Sequence, residues 1–240
     1  MHIKNKVTII IPCYNEEKYI SQTITSIVKQ NNINGTKVII ADNNSTDNTR
    51  KIIMDCKNVY KDIIDIQLIG GGSVSVARNN GAKLSNTKYT LFIDADSVLI
   101  DRDIIDKTLF VAQHGHLDLV TAEIDSIGKD IRTFFMFFFF NLSNRIISIK
   151  TPFGVGGYFF TRTDKFHEFG GFDESLTTSE DFWLSKKYSP KNFKIIKKKY
   201  GQDDRRFKKM GYSGMLKMII NNFINKNNVE YFKKDIGYWN

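Results

Sequence analysis

Short β-branched runs at residues 7–12, 37–42, 63–69, 89–94 and 117–124 punctuate the chain, and the stretches between them place apolar residues at helical spacing. That alternation predicts an α/β fold, an open and mostly parallel sheet covered by helices on both faces. Between the first two runs, Ile20, Ile24, Ile27 and Val28 recur at i, i+4, i+7 and i+8, a stripe that belongs in the core. Asn15 is placed to cap the start of that helix.

In sheets of this kind ligands bind outside the carboxyl ends of the strands. A polar residue at such an end is a better candidate for chemistry than one in mid-strand. Asp42 and Asp94 both end a run. Past residue 125 the pattern changes to a Phe-rich helix, a Gly-rich hinge at Gly154-Val155-Gly156-Gly157, a strand-like 158–161 and a helical 179–188. This half is expected to do a different job on the same body.

With 240 residues, 41% of them hydrophobic, the chain can bury one large core. The net charge of +9 is concentrated: residues 186–240 hold 15 Lys and Arg against 4 Asp and Glu. Such a segment suits a phosphate-bearing ligand, anionic lipid headgroups or nucleic acid, or is simply a solvated Lys-rich face. Cys13 and Cys56 lack metal or redox spacing, and Met1-His2-Ile3-Lys4 leads straight into a strand, so a reducing, cytoplasmic setting is expected. The apolar run from Phe134 to Phe140 falls short of the roughly 18 residues of a membrane span and reads first as a buried helix, second as the wall of a groove for a polyprenyl acceptor. His114, His116 and His167 lie away from the strand ends and are read as non-catalytic.

Leu91-Phe92-Ile93-Asp94-Ala95-Asp96-Ser97 is an apolar strand that ends in two carboxylates separated by one residue. Hard divalent cations take one or two carboxylates together with substrate phosphates, so Asp96 with Asp94 can hold Mn²⁺ or Mg²⁺ on a diphosphate. An Asx turn capping a following helix is the plain alternative. The glycine run 70–72 has no phosphate-loop spacing and reads as a flexible loop.

Four segments appear in order: Pro12-Cys13-Tyr14-Asn15-Glu16, Asp42-Asn43-Asn44-Ser45-Thr46-Asp47, Ala77-Arg78-Asn79-Asn80-Gly81 and Asp94-Ala95-Asp96. With Gly170-Gly171-Phe172-Asp173-Glu174 and Glu180-Asp181-Phe182-Trp183-Leu184, the chain resembles the family 2 glycosyltransferases over about residues 7–190. The resemblance implies a single glycosyltransferase-A domain over 1–200, with a Rossmann-like nucleotide-sugar half (1–100), an acceptor half (101–200) and a basic segment 201–240 packed on it or on a membrane surface. It also implies an inverting reaction. Pro12, Tyr14, Asn15, Glu16, Asp42, Arg78, Asp94 and Ala95 would bind the nucleotide sugar, Tyr14 stacking on the base and Asp42 accepting from a uracil-like N–H. The family often has Asp where Asn43 stands.

By the same resemblance Asp181 is the general base, with Glu180 second. Inversion needs one carboxylate to take the acceptor proton as the hydroxyl attacks opposite the leaving diphosphate. Gly156 and Gly157 would sit beside the donor sugar, and Arg205 and Arg206 would bind the diphosphate. The function expected is transfer of a hexosyl or N-acetylhexosaminyl group, UDP-linked, to a glycan or lipid-linked acceptor, with a divalent metal and without nucleic acid. A nucleotidyltransferase would carry a basic Gly-rich loop where the acidic Pro12–Glu16 segment stands. A degenerate binding module would not need Asp94, Asp96 and Asp181 intact. Sugar, linkage and oligomeric state are not encoded in these patterns.

Overall fold

The computed structural model describes residues 3–128 and 130–234. Met1 and His2, part of the leader reading, and the last six residues of the basic segment lie outside the described residues. The first half runs β1 (Val7–Cys13), α1 (Ile20–Val28), β2 (Thr36–Asp42), α2 (Thr49–Tyr60), β3 (Ile64–Gly70), α3 (Val74–Lys83) and β4 (Tyr89–Phe92). The second half continues with β5 (Ser97–Leu99), α4 (Ile104–His114), β6 (Leu119–Ser126), α5 (Ile131–Ile147), β7 (Phe159–Arg162) and α6 (Thr163–Glu168). It closes with α7 (Glu180–Ser185), β8 (Phe193–Gln202), α8 (Arg205–Ile224) and α9 (Val229–Phe232).

One eight-stranded sheet has the order β3-β2-β1-β4-β7-β6-β8-β5. β1 to β4 are parallel neighbours, and β6 and β8 are also parallel. Only β7 and β5 oppose the rest, so the sheet is mostly parallel. The strands are apolar on both sides because both sides are covered. Ile9 and Ile11 of β1 join Ile20, Ile24 and Ile27 of α1 and Ile105 and Leu109 of α4 in one layer. Their neighbour Ile10, with Ile39 and Phe92, faces Ala82 of α3, Phe166 of α6 and Leu184 of α7 in the other. The period-two alternation of a strand thus sorts its residues between two helical layers.

α3 lies close on the sheet. A Cβ at Gly81 would meet Ile10 Cγ2 at 2.5 Å, so glycine there lets the helix seat itself against β1. Strand order reverses at β1, which has β2 on one side and β4 on the other. The carboxyl ends of β1 and β4 therefore border the crevice where open α/β sheets bind ligands.

Three expectations change. The N-cap of α1 is Tyr19, not Asn15. Asn15 instead has φ 52°, and its side-chain oxygen accepts from the Thr46 N–H at 2.8 Å, because the loop after β1 bends toward the β2–α2 loop before the helix begins. The Phe-rich helix is not buried: Thr133, Phe137 and Asn144 are its buried residues, and most of its Phe side chains are exposed. One helix face meets the sheet through β6, and a helix that is apolar all round must then turn its opposite face outward. Finally, β8 runs to Gln202 between β6 and β5, so the sheet crosses the boundary expected at residue 200. No helix among the described residues is long and apolar enough to cross a membrane.

Candidate active site

The loop after β1 and the turn after β4 meet in the crevice. Tyr14 stands 55% exposed, with its ring open to a flat ligand, whereas Pro12 is buried within β1. Glu16 is held by a two-pronged pair with Arg205, Nη2 to Oε1 at 2.7 Å and Nη1 to Oε2 at 2.8 Å. The same Arg205 Nη2 lies 2.7 Å from Asp96 Oδ2, and its guanidinium covers the Tyr19 ring at 4.7 Å. Burial, and after it the negative charge of Asp94, push the Asp96 carboxyl above the usual range, while Arg205 and Arg206 pull it back. Burial also raises Glu16, against the pull of Arg205.

The Asp94–Ser97 turn is closed by a Ser97 N–H to Asp94 carbonyl bond of 3.0 Å, and Ala95 offers its carbonyl to Thr23 Oγ at 2.7 Å. A strand, not a helix, follows it, so the two carboxylates do not serve as a helix cap.

Asp42 is engaged within its own loop. Its side chain is buried, takes the N–H of Ser45 at 3.2 Å and its hydroxyl at 2.5 Å, and lies 3.7 Å from Arg50. Its neighbours stitch the β2–α2 loop to the loop after β1: Glu17 N–H donates to Asp47, Asn48 N–H to Glu17, and Glu16 N–H to Thr49 Oγ. The two loops form one floor beneath Tyr14.

Arg78 is neither an exposed helix arginine nor an open nucleotide contact. It is 1% exposed, lies 2.6 Å from Asp94 Oδ1 and is bonded to Glu180 Oε1, with Phe172 against its face at 5.1 Å. A buried cation thus joins the turn after β4 to the start of α7. Glu180, the second candidate base, is buried and paired with the arginine.

Asp181, the next residue, is differently placed. Its Oδ2 accepts the Gly156 N–H at 2.7 Å and its Oδ1 the Phe182 N–H at 2.7 Å. Burial, and next the charge of Glu180, push its carboxyl up to about 7, against the opposing pull of Arg78 and these N–H groups. Gly156 is small for a local reason: a Cβ there would stand 2.6 Å from Arg78 Nη2. One at Gly157 would stand 2.7 Å from the Tyr200 ring. Both glycines make room for protein side chains, whatever else they border.

Two residues emerge only here. Asn79 donates to the Phe172 carbonyl and to Glu174 Oε1, both at 2.9 Å, and accepts the Phe172 N–H at 3.0 Å, clamping the loop before α7 onto α3. The Ala77–Gly81 motif contained it, but its partners lie more than 90 residues away. Tyr200, on β8, has a buried hydroxyl without a hydrogen-bond partner among the described residues, and burial and then Asp94, Asp181 and Asp96 raise its pKa. No sequence signal marked it. His114 stacks on Phe110 and bonds its carbonyl, away from these carboxylates.

Among the described residues no cluster of three or more His, Cys, Asp or Glu converges as a ready-made metal cage. Two carboxylates at a strand end suit a hard divalent ion that completes its shell with substrate phosphates. Asp96 and Asp94 fit that donor set, with Arg205 as the resident counter-charge of Asp96.

The Glycosyl transferase family 2 model matches residues 8–170. Over 124 residues the chain is 27% identical to the poly(ribitol-phosphate) beta-N-acetylglucosaminyltransferase TarS of Staphylococcus aureus, covering 51% of this chain and 22% of that one. The crystal structure of S. aureus TarS 1-349 in complex with UDP-GlcNAc superimposes with a TM-score of 0.64 at 19% identity, covering 82% of this chain and 58% of that one. The mannosyltransferase PcManGT from Pyrobaculum calidifontis, in complex with GDP-Man and Mn²⁺, gives a TM-score of 0.66 at 18% identity, covering 90% and 64%. The structural likenesses are of fold, and the chain spans about a fifth of TarS.

Proposed function

Because this chain belongs to glycosyl transferase family 2, we propose that it moves a sugar from a nucleoside diphosphate sugar to an acceptor hydroxyl, with inversion at the anomeric carbon. The observation that carries this is the state of Asp181, a carboxyl held by two backbone N–H groups and raised to about 7 beside a crevice lined by Asp94, Asp96 and Arg205. A base tuned near neutrality accepts a proton efficiently there.

In this reading the base of the nucleotide lies on Tyr14 above the floor made by the two stitched loops. Arg205 and Arg206 meet the diphosphate, since guanidinium groups match phosphate oxygens and stay charged. Asp181 takes the proton of the acceptor hydroxyl as that oxygen bonds to the anomeric carbon. The bond from that carbon to the phosphate oxygen breaks, and the nucleoside diphosphate leaves with its electron pair. A divalent ion held by Asp96 and Asp94 would neutralise the diphosphate. Arg78 keeps Asp94 and the start of α7 in register, so that donor and acceptor groups are pre-positioned.

UDP is the favoured nucleotide and an N-acetylhexosamine or hexose the favoured sugar. The UDP-GlcNAc complex of TarS supports this, and the GDP-Man complex of PcManGT makes GDP the comparison to run. The name of TarS points to a poly(ribitol-phosphate) acceptor, and an anionic polymer of that kind suits the basic residues 186–240. A cytoplasmic setting suits the buried free thiols of Cys13 and Cys56. The test is calorimetric titration of UDP and GDP, each with Mn²⁺ and with EDTA, into wild type and Asp96→Ala. Metal-dependent UDP binding that the substitution abolishes is expected; absence of binding under every condition would overturn the reading.

A further inference from the structure

Two helices carry apolar stripes that no described part of the chain covers. On α5, Phe134, Phe135, Phe138, Phe139, Leu142 and Ile146 are 44–60% exposed. Their spacing of three, four and seven residues puts them on one side of the helix, opposite the buried Thr133, Phe137 and Asn144. On α8, Leu216, Ile219, Ile220, Phe223 and Ile224 repeat the pattern and are 38–72% exposed, with Met215 on the buried side. The helices touch through a Thr133–Tyr212 hydroxyl bond of 2.8 Å and an edge contact of Phe137 with Phe207. Scattered surface apolar residues need no explanation, but continuous stripes on two touching helices mark a contact site.

The charges say what kind. Arg132 and Arg145 lie on α5, and Lys208, Lys209 and Lys217 on α8, while neither helix contains an Asp or Glu. A second copy of the chain would set two cationic faces against each other. Arg132, Arg145 and Lys208 already pair with Asp130, Glu123 and Asp204, and a neutral apolar partner would offer no counter-charge to Lys209 and Lys217. An anionic bilayer answers both features: rings and branched chains enter the acyl boundary to a depth of about 5–10 Å, and Lys and Arg remain among the headgroups. Neither helix is suited to cross the bilayer, so the contact is in the plane of the surface.

We infer that the outward faces of α5 and α8 seat this protein on an anionic lipid surface. The inference stands on burial and charge and does not depend on the transferase reading. α8 begins at Arg205, the residue that binds Glu16 and Asp96, and kinks at Gly211 (φ 72°), so the exposed stripe lies on the segment beyond the kink from the crevice.

Flotation of the full chain with phosphatidylcholine vesicles, with and without phosphatidylglycerol, tests it. The wild type is expected to float with the anionic vesicles and release at high salt. Phe135→Ser, Phe138→Ser and Phe139→Ser should each lower the partition coefficient roughly tenfold. Lys209→Glu and Lys217→Glu should each lower it about fivefold on anionic vesicles. All five variants should keep the circular dichroism of the wild type, and UDP titration run in parallel reports on the crevice separately. Failure of the folded wild type to float with anionic vesicles, or unchanged flotation of the Phe variants, overturns the inference. A solution dimer that the Phe variants dissociate also overturns it and assigns the face to a second copy.

Discussion

The guanidinium of Arg205 lies 2.7 Å from Oδ2 of Asp96 while gripping both carboxylate oxygens of Glu16. It therefore stands where a cation bound to Asp96 would compete with it. Arg205→Ala leaves two largely buried carboxylates without their counter-charge. Since the arginine side chain is 31% exposed, the loss is discounted from that of a fully buried pair to about 1–3 kcal/mol. Mn²⁺ should raise the melting temperature of the variant more than that of the wild type, as thermal unfolding with Mn²⁺ and with EDTA would register. An equal response would show that arginine and metal do not compete.

Arg78 is the more costly residue to lose. Arg78→Met leaves Asp94 and Glu180 facing one another in a buried site, and breaking a buried pair from one side costs about 3–5 kcal/mol. Urea unfolding should show this drop, whereas Arg50→Met, which removes only a 3.7 Å contact from an exposed side chain, should stay within about 1 kcal/mol of wild type.

For Asp181 the sign of the pH dependence follows from the raised carboxyl. The proposed base acts in its deprotonated form, so kcat should rise as pH rises through about 7. A folded-state value above the unfolded one means that this group's contribution to stability is full at low pH and fades as pH climbs through about 7. Asp181→Asn should lower kcat by ~10²–10⁴-fold with UDP affinity retained. Steady-state kinetics across pH, paired with calorimetry, separates the two effects; a parallel loss of UDP binding would assign the residue to the donor site.

Tyr14 contributes a ring and little else to the fold, being 55% exposed. Tyr14→Ala should weaken UDP binding roughly tenfold, at the lower end of the ~1–3 kcal/mol of a base–aromatic stack. The melting temperature without ligand should not move. Unchanged affinity would place the base elsewhere in the crevice.

Much of this was legible in the chain itself. Apolar runs fixed the parallel strands within a residue or two, and the Ile20, Ile24 and Ile27 stripe fell in the core as spaced. The carboxylates of Asp94 and Asp96 did end a strand beside the loop carrying Tyr14 and Glu16. Capping of α1 by Asn15 failed because the same side chain is as suited to bind a neighbouring loop, and it accepts the Thr46 N–H instead.

What the sequence determined was local: the periods of strands and helices, the residues at strand ends and the order of the family motifs. These depend on side-chain direction over a few residues, which the chain carries wherever it goes. Tertiary structure decided the pairings. Arg78 reached Asp94 and Glu180, Asn79 reached Glu174, and Arg205 reached Glu16 and Asp96 across up to 189 residues. Which acid sits in an ion pair and which is held by backbone N–H groups follows from those distances and from burial, not from residue type. The Phe-rich helix makes the same point: with apolar residues on every side it carries no mark of which face turns outward, and only its seat against β6 chose.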